Sequence, residues 1–232
     1  MSQIEIKYHP KFHNVFTSGS KENLKLYTLN IDKGYRVYGE QLVDYKEIEY
    51  REWNPHRSKL AAVILQNPIN NFLSDDLHCL YLGASSGTTI SHLSDILKNG
   101  IIYAVEFAER SIRQLIQNTS RRKNVIPIFA DARFPDKYAK SIFSKIDLIY
   151  QDVSQPNQAE IAVNNCDYYL KAEGLLILTI KSQSIDSIQK SELIYAQEKQ
   201  ILEKGGYQII ESINIHKYAA NHIVLLVRKK IS

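Results

Sequence analysis

From Asn54 onward the chain alternates short apolar runs with segments long enough for a helix, and few architectures accept that pattern. The runs are "HCLYLG", "IIYAVEF", "VIPIFA", "DLIYQDV" and "GLLILTIK", each followed by a helix-length stretch, and then "YQIIESINI" and "HIVLLVRK". Strands alternating with helices imply an α/β fold, a doubly wound and mostly parallel sheet covered on both faces. Counting the runs gives a seven-stranded sheet. The last two are separated by about a half-dozen residues, too few for a crossover helix, so they are expected to pair as an antiparallel hairpin. Ahead of the series, "HRSKLAAVILQN" has apolar residues at helical spacing and ends at Pro68. Earlier still the pattern is different. "IEIKYH", "LKLYTLN", "YRVYGEQLV" and "IEYREW" alternate with a strand's period and are punctuated by Gly19, Gly34 and Gly39. They predict a small N-terminal antiparallel β domain over residues 1–54, followed by the main domain over 55–232.

Composition narrows the function classes less sharply. The 232 residues can bury a sizeable core. A net charge of +4 permits a nucleic-acid partner without demanding one, and the basic tract is limited to "RRK" at 121–123. Cys79 and Cys166 are far apart among apolar residues, which reads as two buried thiols in a reducing compartment. His9, His13, His56, His78, His92 and His216 show no metal-ligand spacing, so no metal site is expected. No run approaches the roughly 18 apolar residues of a membrane span, and the first residues have no signal-peptide core. A cytoplasmic protein without a membrane partner is the expectation. The 15 tyrosines concentrate in strands, where packing or docking accounts for them better than catalysis.

In a doubly wound sheet, ligands bind at the carboxyl ends of the strands, near the point where strand order reverses. Here the first strand runs into "GASSGTT", with Gly83 and Ala84 in the turn. The next four ends carry Glu106, Asp131, Asp152 and Lys181 in order. Each residue alone has an ordinary structural reading. A glycine pair permits a tight turn, Glu106 or Asp131 can cap a helix, Asp152 can serve a turn, and Lys181 can be a solvated strand end. Their coincidence on one rim is what favours a ligand site.

The order of these residues discriminates between ligands. A dinucleotide site wants G-x-G-x-x-G, and Ser85 stands where the middle glycine belongs. A Walker loop needs a lysine after its last glycine, and Gly87 is followed by Thr88. An acid after strand two can bind both ribose hydroxyls of an adenosine, and one after strand three can accept from the adenine amino group. Without phosphate-cradling glycines, the pattern suits an adenosine carrying no phosphate. S-adenosyl-L-methionine is such a ligand, and its sulfonium would favour nearby carboxylates.

The strings "YGE", "WNPHRSKL", "YLGASSGTTISH", "DVSQPNQAE" and "IKSQSID" together resemble fibrillarin, in particular the archaeal fibrillarin-like ribose methyltransferases, over nearly the whole chain. The Gly/Arg-rich N-terminal extension of the eukaryotic form is missing, which fits the archaeal type. The resemblance implies a class I methyltransferase sheet and a place in a C/D box ribonucleoprotein. In that particle a guide RNA selects the rRNA or tRNA target, a Nop-family scaffold protein docks the enzyme, and a kink-turn-binding ribosomal-type protein organises the RNA. It places cofactor contacts on Thr88, Thr89, Glu106, Phe107, Asp131, Ala132 and the turn Asp152, Val153, Ser154 and Gln155, alongside Gly83 and Ala84. The Lys-Asp-Lys-acid/His set of similar 2′-O-methyltransferases falls on Lys59, Asp152, Lys181 and His222. This chain departs from the family's usual residues at Gln151, Gln183 and Asn221.

A ribose 2′-hydroxyl is a weak acid, so methyl transfer to it needs a base or a cation at the developing alkoxide. Lys181, held by Asp152, is expected to be that group, with Lys59 able to reach the same rim. His222 can equally be a strand-start histidine bonded to backbone. The expected function is guide-RNA-directed transfer of methyl from S-adenosyl-L-methionine to ribose 2′-hydroxyls. A ribonucleoprotein subunit with little catalysis and a stand-alone small-molecule methyltransferase remain the alternatives. Activity without RNA or protein partners would mark the second.

Overall fold

The computed structural model describes residues 4–230; residues 1–3 and 231–232, at the outer ends of the two expected domains, lie outside the described residues. The N-terminal unit contains β1 (Lys7–Tyr8), β2 (Val15–Ser18), β3 (Lys25–Leu29), β4 (Leu42–Tyr45) and β5 (Ile48–Trp53). They form one antiparallel sheet in the order β1-β2-β3-β5-β4. Two details differ from the sequence reading. The four residues of β2 were not among the expected runs, because the segment is too short to display an alternation. "YRVYGEQLV" is not one strand. The Val37 and Tyr38 N–H groups donate to the Glu40 carboxylate at 3.0 and 2.9 Å, which curls the segment into a loop, and β4 starts only at Leu42.

The main unit runs through α1 (Lys59–Leu65), β6 (His78–Leu82), α2 (Thr88–Ile96), β7 (Ile101–Glu106), α3 (Glu109–Thr119) and β8 (Val125–Phe129). It continues with β9 (Ile146–Gln151), α4 (Gln158–Tyr169), β10 (Leu170–Lys181), α5 (Ser182–Ile185), α6 (Ser191–Lys204), β11 (Tyr207–Asn214) and β12 (His222–Lys229). The sheet has seven strands in the order β11-β12-β10-β9-β6-β7-β8. β10, β9, β6, β7 and β8 are mutually parallel, while β12 lies antiparallel to both β10 and β11. This is the expected mixed sheet with its terminal hairpin, and strand order reverses between β6 and β9. Between β8 and β9 the expected α-helix is a 3₁₀ helix, Pro135–Ser141, pinned to α4 by the Tyr138 hydroxyl on Asn165.

One face of the N-terminal sheet packs on its own small cluster of Ile6, Phe16, Tyr27, Val43 and Tyr50, while the other shares a core with the main unit. Phe12, Val15, Leu26 and Trp53 of the N-terminal unit pack in one cluster with Leu60, Ile90 and Leu93 of the main unit. A buried polar network crosses the same joint. Arg51 of β5 donates to Glu40 at 2.7 Å, to Asp95 of α2 at 2.8 Å and to Ser91 at 2.8 Å, and Arg122 donates to Asp95 at 2.6 Å. Two guanidiniums face two carboxylates, all four side chains at most 1% exposed, so losing one partner strands a buried charge at a cost of about 3–5 kcal/mol.

His92 lies inside this network, stacked on Trp53 at 5.1 Å. Its Nδ1 is 2.8 Å from the Thr28 hydroxyl, which itself donates to Asp95, so Nδ1 carries the ring proton; Nε2 faces the Tyr38 hydroxyl at 2.8 Å. Burial, then Arg51 and Arg122, hold its pKa well below the usual 6.5. The unfolded chain therefore takes up the proton first as pH falls. Stability is full above about pH 6.5 and lost progressively below it, towards the folded-state value. The midpoint of urea unfolding is expected to drop between pH 7.5 and 5 (about those values) in the wild type. The drop should be smaller in His92→Gln, which cannot titrate. Equal pH slopes in the two proteins would remove His92 as the source, leaving His9 and His222, whose pKa values burial also lowers.

Candidate functional site

β6 ends at Leu82, and the turn that follows is built on Gly83 with φ +83°. A Cβ at this position would stand 2.4 Å from the Asp152 carbonyl oxygen, so only glycine lets the two turns touch. The Asp152 N–H in turn donates to Leu82 at 2.9 Å. Gly83 and Ala84 both donate to the Val105 carbonyl at 3.0 Å, tying the turn to β7 on its other side. Thus the carboxyl ends of β9, β6 and β7 are stitched into one rim by backbone groups alone.

Glu106, the last residue of β7, is buried beneath this rim. One carboxylate oxygen accepts from the Ser85 N–H at 2.7 Å and the other from the Ala108 N–H at 2.8 Å. The second bond is a local turn contact ahead of α3, whose cap position is Ala108, so Glu106 does not cap that helix as its ordinary structural reading expected. The first crosses from β7 to the glycine turn. An ionised carboxylate has about four acceptor positions, so two remain for hydroxyl donors from a ligand. A cavity of about 220 Å³ opens beside it. Its wall includes Gly83, Glu106, Phe107 and Ala132, and on the far side Asp152, Val153, Ser154 and Gln155. Ser85, Val105 and Ala130 also line it and were not expected as ligand contacts from the sequence; their signal was only adjacency to the turn and strand ends.

Four expected cofactor residues are placed differently. Ala84 is buried under the turn. Thr88 opens α2 behind the Gly87 cap, and Thr89 is buried with its hydroxyl donating to Ser58 at 3.0 Å. Asp131 is outside the wall, and its carboxylate is gripped by the Arg133 guanidinium at 2.6 Å and by the Arg133 N–H at 2.9 Å. Those bonds hold its carboxyl below the usual value. The acceptor expected for an adenine amino group is therefore already engaged by an internal cation, which spacing along the sequence does not reveal.

Of the expected catalytic residues, Asp152 lines the cavity, and Lys59, Lys181 and His222 lie outside its wall. Asp152 does not hold Lys181, as the sequence reading expected. Lys59, the first residue of α1, takes that place, with Nζ 2.9 and 2.6 Å from the two carboxylate oxygens. The reason is the Ser58 cap. It starts α1 over the end of β9 and aims Lys59 at the turn, while Lys181 projects from the neighbouring strand. In the β10/β12 ladder, Lys181 lies directly opposite His222. Cross-strand partners project on the same face of a sheet, so the two side chains are neighbours. His222 Nδ1 is 2.6 Å from the Ala220 carbonyl, which can only accept, so Nδ1 carries the proton and Nε2 offers a lone pair. Burial lowers its pKa, and the charges of Lys59, Asp152 and Lys181 all reach it. His222 is thus bonded to backbone, as one of its two readings expected, and stands opposite Lys181 in the ladder.

The arrangement is a cavity with Glu106 and Asp152 in its wall, Asp152 held in turn by Lys59, and Lys181 paired with His222 in the neighbouring ladder. It can hold a ribose through Glu106 and present a cation to an oxygen gaining negative charge. Comparison with known proteins identifies the family. A family model described as fibrillarin matches residues 6–231. A Methanosarcina acetivorans protein named fibrillarin-like rRNA/tRNA 2′-O-methyltransferase is 47% identical over 213 residues, covering 90% of this chain and 93% of its own. The fibrillarin of Aeropyrum pernix, solved in complex with natively bound S-adenosyl-L-methionine, superposes with a TM-score of 0.89 at 37% identity over 98% of this chain and 100% of that one. The structure of a fibrillarin/Nop5p complex contributes a chain with a TM-score of 0.81 at 40% identity, covering 89% of this chain and 94% of its own. With the sequence match running from the first strand past the last, the chain belongs to the fibrillarin family.

Proposed function

We propose that this protein transfers a methyl group from S-adenosyl-L-methionine to ribose 2′-hydroxyls of RNA, directed by a guide RNA. The observation that carries the reading is the juxtaposition on one rim of the Glu106-floored cavity and the Lys59–Asp152 pair with Lys181 and His222. S-adenosyl-L-methionine is the cofactor, and when bound it supplies an electrophilic methyl on a cationic sulfur. Residues of the cavity suit its parts. Glu106 has acceptor positions for ribose hydroxyls, Phe107 and Val153 supply apolar wall, and Asp152 offers negative charge beside the sulfonium.

Toward the acceptor, Lys181 stabilises the developing alkoxide as an ammonium, or receives the 2′-hydroxyl proton as the free amine after releasing its own proton to solvent. Lys59 neutralises and aims Asp152. His222, neutral with Nε2 free, accepts a hydrogen bond from a lysine or from the ribose without adding a third positive charge. Asp131 joins the cofactor site once Arg133 yields part of its carboxylate, and Thr88 and Thr89 act through the helix start that shapes the turn.

A Nop5p-type scaffold is the partner supported by the related complex. Targets in rRNA or tRNA extend that proposal, supported by the names of the relatives, and a C/D box guide RNA and a kink-turn-binding protein extend it further on the resemblance to fibrillarin alone. A net charge of +4 gives few phosphate contacts, so RNA affinity comes mainly from the assembled particle. A cytoplasmic site of action fits two buried free thiols. The division at residues 54 and 55 also remains a proposal.

The test is transfer of labelled methyl to a target RNA, with and without guide RNA and scaffold proteins. Labelling confined to one ribose, and only in the complete mixture, is expected. Equal labelling of a small molecule without RNA would sink the reading. A second measurement addresses the cavity. Glu106→Ala should weaken S-adenosyl-L-methionine binding by about 1–3 kcal/mol, roughly five- to 150-fold in Kd, for loss of charge-assisted hydrogen bonds. Unchanged affinity by calorimetry would take the ribose away from Glu106.

A further inference from the structure

β10 loses its parallel neighbour just where the site begins. The β10/β9 pairing ends at Leu178 opposite Gln151, after which the chain leaves β9 for the Asp152 turn. The strand nevertheless continues to Lys181, whose N–H and C=O would face an empty edge. Both groups are met by one side chain. Gln158, the first residue of α4, accepts from the Lys181 N–H at 2.9 Å and donates to the Lys181 carbonyl at 3.2 Å. Its amide thus stands in for the missing strand. The same NH₂ donates to the Gln155 carbonyl at 3.0 Å, and the Gln158 carbonyl accepts from Gln151 at 2.7 Å. Gln158 is fully buried, and the helix start that carries it is fastened from α6 by the Glu198 carboxylate on the Ala159 N–H at 2.7 Å.

The geometry has a consequence for the lysine. A residue's N–H and C=O point to the same side of a strand, so with both on Gln158, Lys181 shares no hydrogen bond with His222 directly opposite. The Ser182 N–H donating to the Asn221 carbonyl at 3.2 Å fits this register. Lys181 and His222 are therefore a non-hydrogen-bonded pair, the class in which opposing side chains stand closer. We propose that Gln158 is a positioning residue for methyl transfer: by completing the ladder at Lys181 it fixes that side chain against His222 and the Asp152 turn. It touches neither cofactor nor RNA and acts through Lys181, a role that rests on the function proposed above.

The test is single-turnover methyl transfer by the assembled particle at saturating S-adenosyl-L-methionine, combined with cofactor calorimetry. Gln158→Met keeps the length and removes both hydrogen bonds. It should lower the rate about ten- to hundredfold, since displacing a reacting group by about 1 Å costs that much, while Kd for the cofactor stays within about threefold. In a Lys181→Ala background the same change should cost less than about twofold, because the residue it positions is gone. An undiminished loss in that background, or a Gln158→Met particle as fast as wild type, overturns the proposal. Gln158→Glu gives an independent handle if the methionine variant folds poorly. Its carboxylate opposes the Lys181 carbonyl until protonated, so its deficit relative to wild type should shrink as pH falls, and a pH-independent deficit counts against the clamp. Exchange of the Lys181 amide proton reads the clamp without any activity. It should accelerate at least about tenfold in Gln158→Met. Unchanged exchange refutes the clamp even if the wild type proves to transfer no methyl, an outcome that would instead refute the proposed function.

Discussion

Lys181→Ala is expected to lower single-turnover methyl transfer by about 10²–10⁴-fold, the usual contribution of a positioned proton-transfer group, while leaving cofactor affinity within about threefold. Lys181 is the last residue of β10 and faces His222 across the ladder, with no carboxylate bonded to it among the described residues. Removing it therefore strands no buried counter-charge, and the loss should appear in the chemical step alone. Lys181→Arg keeps the charge but cannot give up a proton near neutral pH. A rate restored to within tenfold or so of wild type by arginine would assign Lys181 to alkoxide stabilisation; no recovery would assign it to proton transfer. A fully active alanine variant, in the assembled particle with saturating cofactor, would exclude both and leave Lys59 as the candidate.

The second large effect concerns Asp152, and here the structure changes the expected partner. Because Lys59 holds both oxygens of the carboxylate, Asp152→Ala removes negative charge from the cavity wall and leaves an ammonium unpaired beside it. A preorganised charge at a reacting centre is worth about 10²–10³ in turnover, and cofactor binding should weaken as well, since repulsion from Lys59 would then reach a cationic ligand. Lys59→Met should reduce turnover less and spare binding. The double variant should transfer methyl no more slowly than Asp152→Ala alone, and should recover part of the lost cofactor affinity. Multiplicative losses from the two single changes would show that they act separately rather than as a pair.

How much of this was readable in the chain depends on distance along it. The alternating runs specified the parallel strands and the closing hairpin, because a strand's period and a short connector are local properties. "YRVYG" misled for an equally local reason: its alternation is that of a strand, but Glu40 collects the N–H groups that a ladder would need. At the site, Glu106 and Asp152 were legible as strand ends. The Lys59–Asp152 pairing was not, since 93 residues separate the partners and only the placement of α1 brings them together. Arg133 was two residues from Asp131 and still went unseen, because adjacency does not say whether two side chains curl towards each other. Gln158 lay within a quoted string, yet nothing in a glutamine's neighbours announces that a strand elsewhere needs an edge.

The joint between the two sheets has a consequence for how a substrate can be engaged. Many enzymes exclude water by swinging one lobe over the other, which requires an interface that slides or hinges. Here the interface is buried and charged: Arg51 reaches from one lobe to Asp95 of the other, and Arg122 shares that carboxylate. Any relative rotation would pull opposite charges apart where no solvent can replace them. The protein is thus a fixed anvil, and the travel needed to bring a ribose to the methyl falls to the RNA and the proteins that carry it.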